Sequence, residues 1–167
     1  MRNWILSGLN RQALEHAART TVAATLSLAI ARLVRLPEAQ WAAISTLVVT
    51  QSTLGAALTI SGQRFAGTAL GATVAALLAT HLGSSILTFG VGVFGLGLVC
   101  AGLHLDRAAY RFAGITLAVV ALVSRGEPSW IIAAHRFFEV SLGIATGLIM
   151  TALWPERKPP AVNEGNG

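Results

Sequence analysis

Two stretches of sequence decide the fold: Arg64-Phe65-Ala66-Gly67-Thr68-Ala69-Leu70-Gly71 and Arg136-Phe137-Phe138-Glu139-Val140-Ser141-Leu142-Gly143. Each reads Arg-Phe, four variable positions, then Leu-Gly. Each contains or runs into glycines one helical turn apart, Gly67/Gly71 and Gly143/Gly147. At that spacing small residues let two helix backbones approach, so these four are expected to be helix-packing positions. Arginine is costly in an apolar helix, so its return in the same setting is a stronger signal than the return of glycine or leucine. Upstream, Ala42-Ala43-Ile44-Ser45-Thr46 resembles Ala113-Gly114-Ile115-Thr116-Leu117 at nearly the same offset. Each unit then holds three apolar helices. Three is odd, so two tandem units lie in opposite orientations across a membrane. The expected fold is an all-α integral membrane protein of six transmembrane helices in two three-helix inverted repeats.

Composition supports lipid as the solvent. Of the 167 residues, 54% are hydrophobic and 11% are charged, with mean hydropathy +0.66. A soluble domain carries about 25% charged residues, and this chain cannot build the polar shell such a domain needs. The net charge is +5. Its basic residues mostly flank apolar runs, as in a protein that sets its orientation in a bilayer, which argues against nucleic-acid binding. Cys100 is the single cysteine, so no internal disulfide is possible.

The expected spans cover residues 17–35, 40–60, 65–82, 85–104, 108–124 and 133–154, together a transmembrane domain over 17–154. Tight turns at Leu36-Pro37-Glu38, at residues 81–85 and at residues 125–129 separate them, where Pro and Gly stop helices. The fifth span is short, since its uncharged part from Phe112 to Ser124 covers only about 20 Å. Residues 1–16 read as an amphipathic segment lying on the cytoplasmic leaflet. Residues 155–167 read as a disordered cytoplasmic tail. Ala29-Ile30-Ala31 mimics a signal-peptide cleavage site, but the long basic region before it contains Glu15 and apolar segments continue after it. The first helix is therefore expected to stay uncleaved.

With the N-terminus inside, Arg2, Arg11, Arg19, Arg64, Arg107, Arg111, Arg157 and Lys158 fall on the cytoplasmic side, and Arg32, Arg35, Arg125 and Arg136 outside. That bias favours a multi-pass inner-membrane protein with both termini in the cytoplasm.

Arg64, Gly67, Thr68 and Gly71 share one helix face, as do Arg136, Glu139, Val140 and Gly143. A guanidinium at a helix N-terminal end adds to the positive end of the dipole and attracts anions; a snorkelling anchor is the plainer alternative. Arg64, Arg136, Gln51 and Thr68 are the candidate substrate-binding residues. Glu139 and Asp106 are the candidates for proton coupling, with a structural ion pair as the alternative for Glu139. Gln51, among Thr50, Ser52 and Thr53, lines a pathway or bonds between helices. Trp4, Trp41, Trp130 and Trp154 read as interfacial anchors. The glycines from Gly90 to Gly102 follow no strand, so they read as helix packing rather than a dinucleotide site. The four histidines lack metal-ligand spacing. No catalytic residues, metal site or cofactor is expected.

With these residues in hand, the chain resembles the membrane domain of the fusaric acid resistance and aromatic acid exporter superfamily. The matching pieces are Arg19-Thr20, Leu36-Pro37, Trp41 leading into Ala43-Ile44-Ser45-Thr46, Gln51, and Gly62-Gln63-Arg64 with Gly67-Thr68 and Gly71. Arg136 and Glu139 with Gly143, then Trp154-Pro155, complete them. The resemblance implies proton-driven export of aromatic or other organic acids across a bacterial inner membrane. Larger family members look like two such units plus soluble domains, so a homodimer or other homo-oligomer is implied here; membrane lipid and an adaptor protein are further candidate partners. A small organic anion is the implied substrate. The competing reading is a non-transporting membrane scaffold or accessory subunit of a larger efflux assembly.

Overall fold

A computed structural model describes residues 11–51, 53–83, 85–122 and 127–155, which form helices and no strand. The helices are α1 (Arg11–Leu33), α2 (Gln40–Val49), α3 (Leu54–Leu82), α4 (Ile86–Gly102), α5 (Arg107–Leu122) and α6 (Ser129–Leu153). Residues 11–16 of the expected amphipathic segment belong to α1; its first ten residues, and the expected tail from residue 156, lie outside the described residues.

The second and third spans divide elsewhere than the sequence suggests. The helix break falls at residues 50–53, within the expected second span, and α3 runs unbroken through Gly62-Gln63-Arg64. Thr50 turns extended (ψ 97°) while its hydroxyl donates to the Thr46 carbonyl, and Thr53 caps α3 by accepting from the Ala56 amide. The Thr53 hydroxyl satisfies a first-turn amide that has no partner in a preceding turn, so α3 can start afresh at Leu54. Arg64 therefore lies about ten residues, or about 15 Å, inside a helix. Arg136 is two turns inside α6. A helix dipole acts within the first turn, so the dipole argument made for these arginines does not hold.

Direction follows from the contacts. Phe65 packs against Phe137 with the rings tilted, Ala57 clusters with Ile144, and Ala72 with Ile132, so α3 and α6 run antiparallel. Gly67 meets Ala109 and Gly71 meets Ala113, so α3 and α5 run parallel. Gly143 meets Ala42 and Gly147 meets Val49, so α2 and α6 also run parallel. The ends of α1 and α4 are alike. Arg35 (φ 61°) and His104 (φ 53°) are left-handed. Leu36 N–H donates to Ala31 O and Leu105 N–H to Cys100 O, each closing a Schellman cap.

The helices α3 and α6 are long and apolar enough to cross a membrane. The helix α1 has the length but carries Arg11, Glu15, Arg19 and Arg32, and the ten residues of α2 cover about 15 Å. Polarity is distributed in the reverse of a soluble protein. Glu139 is 1% exposed and Arg136 2%, whereas Ile86 is 86% and Leu33 82% exposed.

Arg19 is fully buried and clasps one end of the bundle. Its guanidinium donates to the Trp154 carbonyl at 3.0 Å and the Gln51 carbonyl at 2.8 Å. Each is a carbonyl just beyond a helix C-terminus, where a cation is favoured. Arg19→Leu strands both carbonyls and is expected to cost about 2–4 kcal/mol, read as a lower melting temperature in detergent. Arg32→Leu, at an exposed position, is expected to leave the melt within about 0.5 kcal/mol of the parent.

Candidate functional site

The antiparallel crossing of α3 and α6 turns Arg64 and Arg136 toward each other. Both line one small interior cavity of about 10 Å³ with Trp41, Thr68, Phe112 and Thr116, room for about one water. The charge count that set Arg64 inside and Arg136 outside is thereby corrected: the two share a pocket, because α3 starts early and carries Arg64 into the bundle.

The two guanidinium groups are held alike. The Arg136 guanidinium lies 3.9 Å from the centre of the Trp41 ring, and that of Arg64 lies 4.9 Å from the centre of the Phe112 ring. Trp41-Ala42-Ala43-Ile44-Ser45 and Phe112-Ala113-Gly114-Ile115-Thr116 correspond along the chain. A Trp or Phe face attracts a cation and excludes water from it. The glycines follow the same scheme. A methyl group on Gly71 would fall on the Ala113 carbonyl, and one on Gly143 on the Ala42 carbonyl.

The charges around the two arginines differ. Arg136 donates to Glu38 Oε2 at 2.8 Å, and its other terminal nitrogen lies 3.7 Å from Glu139 Oε2. Glu139 Oε1 accepts from the Glu38 backbone N–H at 2.8 Å. Arg64 donates to the Ser45 hydroxyl at 3.0 Å, its Nε has no hydrogen-bond partner, and no carboxylate pairs with it among the described residues. An ion taken out of water costs several kcal/mol unless compensated. Arg136 is compensated by carboxylates; Arg64 has a hydroxyl and a ring. An arrangement of this kind suits a bound anion. Arg136 also lines a second cavity of about 190 Å³ with Pro37, Glu38, Glu127, His135 and Glu139.

Of the residues singled out in the sequence, Arg64, Arg136 and Thr68 meet at the pocket, and Glu139 adjoins it. Gln51 lies at the Arg19 clasp, where its Nε2 donates to the Val48 carbonyl. Asp106 sits at the α4–α5 turn and accepts from Gln63 Nε2 at 2.8 Å on the exposed side. Glu38, Trp41, Ser45 and Phe112 were not chosen from the sequence as site residues. For Trp41 and Phe112 a signal existed: the matched segments extend one residue upstream as aromatic against aromatic. Among the described residues no group of three metal-ligating side chains forms.

A family model for fusaric acid resistance protein-like domains matches residues 24–150. The chain is 33% identical over 149 residues to the uncharacterized transporter YdhK of Escherichia coli K12, a match covering 84% of this chain and 22% of that protein. The Salmonella typhimurium protein of the same name is 34% identical over the same shares. The inner membrane protein YeeA of Escherichia coli K12 is 29% identical over 85% of this chain and 41% of its own length. The chain thus spans about a fifth of the first of these relatives and two fifths of the last. No solved structure matches.

Proposed function

The chain belongs to the fusaric acid resistance protein-like family, and on that footing we propose that it is an inner-membrane secondary transporter exporting aromatic or other organic acids, coupled to protons. The observation that carries this reading is the pair of buried arginines, each covered by an aromatic ring, facing one pocket inside a bundle with an apolar exterior. A carboxylate fits between two guanidinium groups, and the two rings suit an aromatic body. Transporter-named relatives support the transport class. The interior cavity of about 10 Å³ admits no such acid, so transport requires α3 and α6 to part.

Six spans in two inverted three-helix units are part of the proposal. It is supported by the matched caps at Arg35 and His104, the matched ring contacts of Arg136 and Arg64, and the matched glycine contacts of Gly143 and Gly71. In the ring and glycine contacts the third helix of one unit packs on the second helix of the other. Both termini are assigned to the cytoplasm, the side with more basic residues. A homodimer or other homo-oligomer is part of the same proposal.

The test is uptake of labelled aromatic acids into proteoliposomes under an imposed pH gradient. Flux that collapses when a protonophore dissipates the gradient is expected. A panel of acids, none of which moves, overturns the reading in favour of a scaffold role.

A further inference from the structure

Two carboxylates of the chain already sit where a substrate carboxylate would bind. Glu38 belongs to the short turn between α1 and α2, and its Oε2 takes the hydrogen bond of Arg136 NH2 at 2.8 Å. Glu139 approaches the other terminal nitrogen of the same guanidinium and tethers the Glu38 backbone. Trp41, one helical turn after Glu38, covers the guanidinium face. The corresponding arginine, Arg64, keeps a ring, that of Phe112, but has no such acids: small residues, Gly67 and Ala109, stand in the places corresponding to Glu139 and Glu38. The pseudo-symmetry of the site is broken by acid on one side only.

We propose that Glu38 is a built-in carboxylate that occupies Arg136 in the closed state, and that an organic anion enters by displacing it. This rests on the anion-site reading above. The charge balance explains why displacement is required. Among the described residues, the two negative charges of ionised Glu38 and Glu139 offset those of Arg136 and Arg64. A further anion leaves an uncompensated charge in a low-dielectric interior, unless Glu38 withdraws to water or takes a proton. The cavity of about 190 Å³ at Glu38 gives it somewhere to go. Its other titratable walls are His135 and Glu127 from the α6 side, with Arg136 and Glu139 beneath. Arg32 and Arg35, at the end of α1, are exposed. Proton uptake at Glu38 and anion entry then favour one another.

Benzenesulfonate is the probe, because it stays anionic across the working range, so any pH effect belongs to the protein. Its binding to the full chain in detergent is measured by calorimetry for the parent and for Glu38→Gln. Glu38→Gln removes the competing charge and is expected to bind about tenfold more tightly, with little dependence on pH. The parent is expected to bind more tightly as pH falls from about 6 to about 3, through the carboxylate range. A monodisperse Glu38→Gln protein with unchanged or weaker affinity overturns the proposal. If that variant does not fold, the parent decides alone, and pH-independent binding overturns it. Absence of binding by both proteins overturns it together with the anion site. Tighter binding by Glu38→Gln in a protein that moves no acid in proteoliposomes leaves this inference standing and defeats transport.

Discussion

Arg64→Gln is expected to leave the protein within about 1 kcal/mol of its original stability and to cut organic-anion flux about a hundredfold. The two halves of that expectation have separate causes. Arg64 is 5% exposed, and its hydrogen bonding is limited to the Ser45 hydroxyl. A buried charge without a carboxylate is a poor source of stability, and a neutral side chain of similar length removes its desolvation cost. Glutamine can still reach a hydroxyl. It cannot offer a guanidinium to a carboxylate, and losing one partner of a desolvated charged pair costs about 2–5 kcal/mol of binding. Arg64→Lys is expected to fall between parent and glutamine variant, since it keeps the charge and loses the planar fork. A helix anchor would behave otherwise: lysine would replace it fully, and glutamine would shift stability or insertion rather than substrate flux. Transport rates in proteoliposomes, with detergent melts on the same preparations, separate the two.

The second large effect concerns backbone contact. Gly71→Ala and Gly143→Ala each place a methyl group on a backbone carbonyl, of Ala113 and of Ala42, in the interior of a facing helix. A rotamer change in a neighbour cannot relieve such a clash, so the helices must separate. Overpacking of this kind costs about 1–3 kcal/mol, and a loss at the upper end of that range is expected for each. Gly55→Ala, Gly62→Ala and Gly114→Ala meet nothing within 4 Å and gain helix propensity, so they are expected to be neutral or stabilising by up to about 1 kcal/mol. The same melts check all five. Equal losses across both groups would contradict the packing described for α3 on α5 and for α6 on α2.

What the sequence revealed depended on how local the signal was. The paired Arg-Phe motifs identified both arginines, because the motif lies within one helix and its repeat can be matched along the chain. Their meeting in one pocket was not visible. It depends on α3 beginning at Leu54, and residues 50–53 read equally well as a polar interruption of a continuing helix, since threonine can bond back to the carbonyl one turn earlier without ending it. Glu38 was read only as part of a turn. Its partner stands 98 positions away, and nothing near residue 38 announces an arginine. The Arg19 clasp spans 135 positions to Trp154 and looks in the sequence like one more basic residue beside a span. Trp41 resembled an interfacial anchor because a tryptophan near the end of an apolar segment commonly is one; only the fold places a guanidinium against its ring.

The central claim is that Arg64 and Arg136 bind one anion between them. A double-mutant cycle on benzenesulfonate affinity tests it directly, using Arg64→Gln, Arg136→Gln and the double variant, each monodisperse in detergent. Residues that hold a single ligand together are coupled, so the double variant is predicted to bind about as weakly as either single one. Losses that multiply, the double variant being weaker by the product of the two single effects, would contradict the claim and assign the arginines to separate sites.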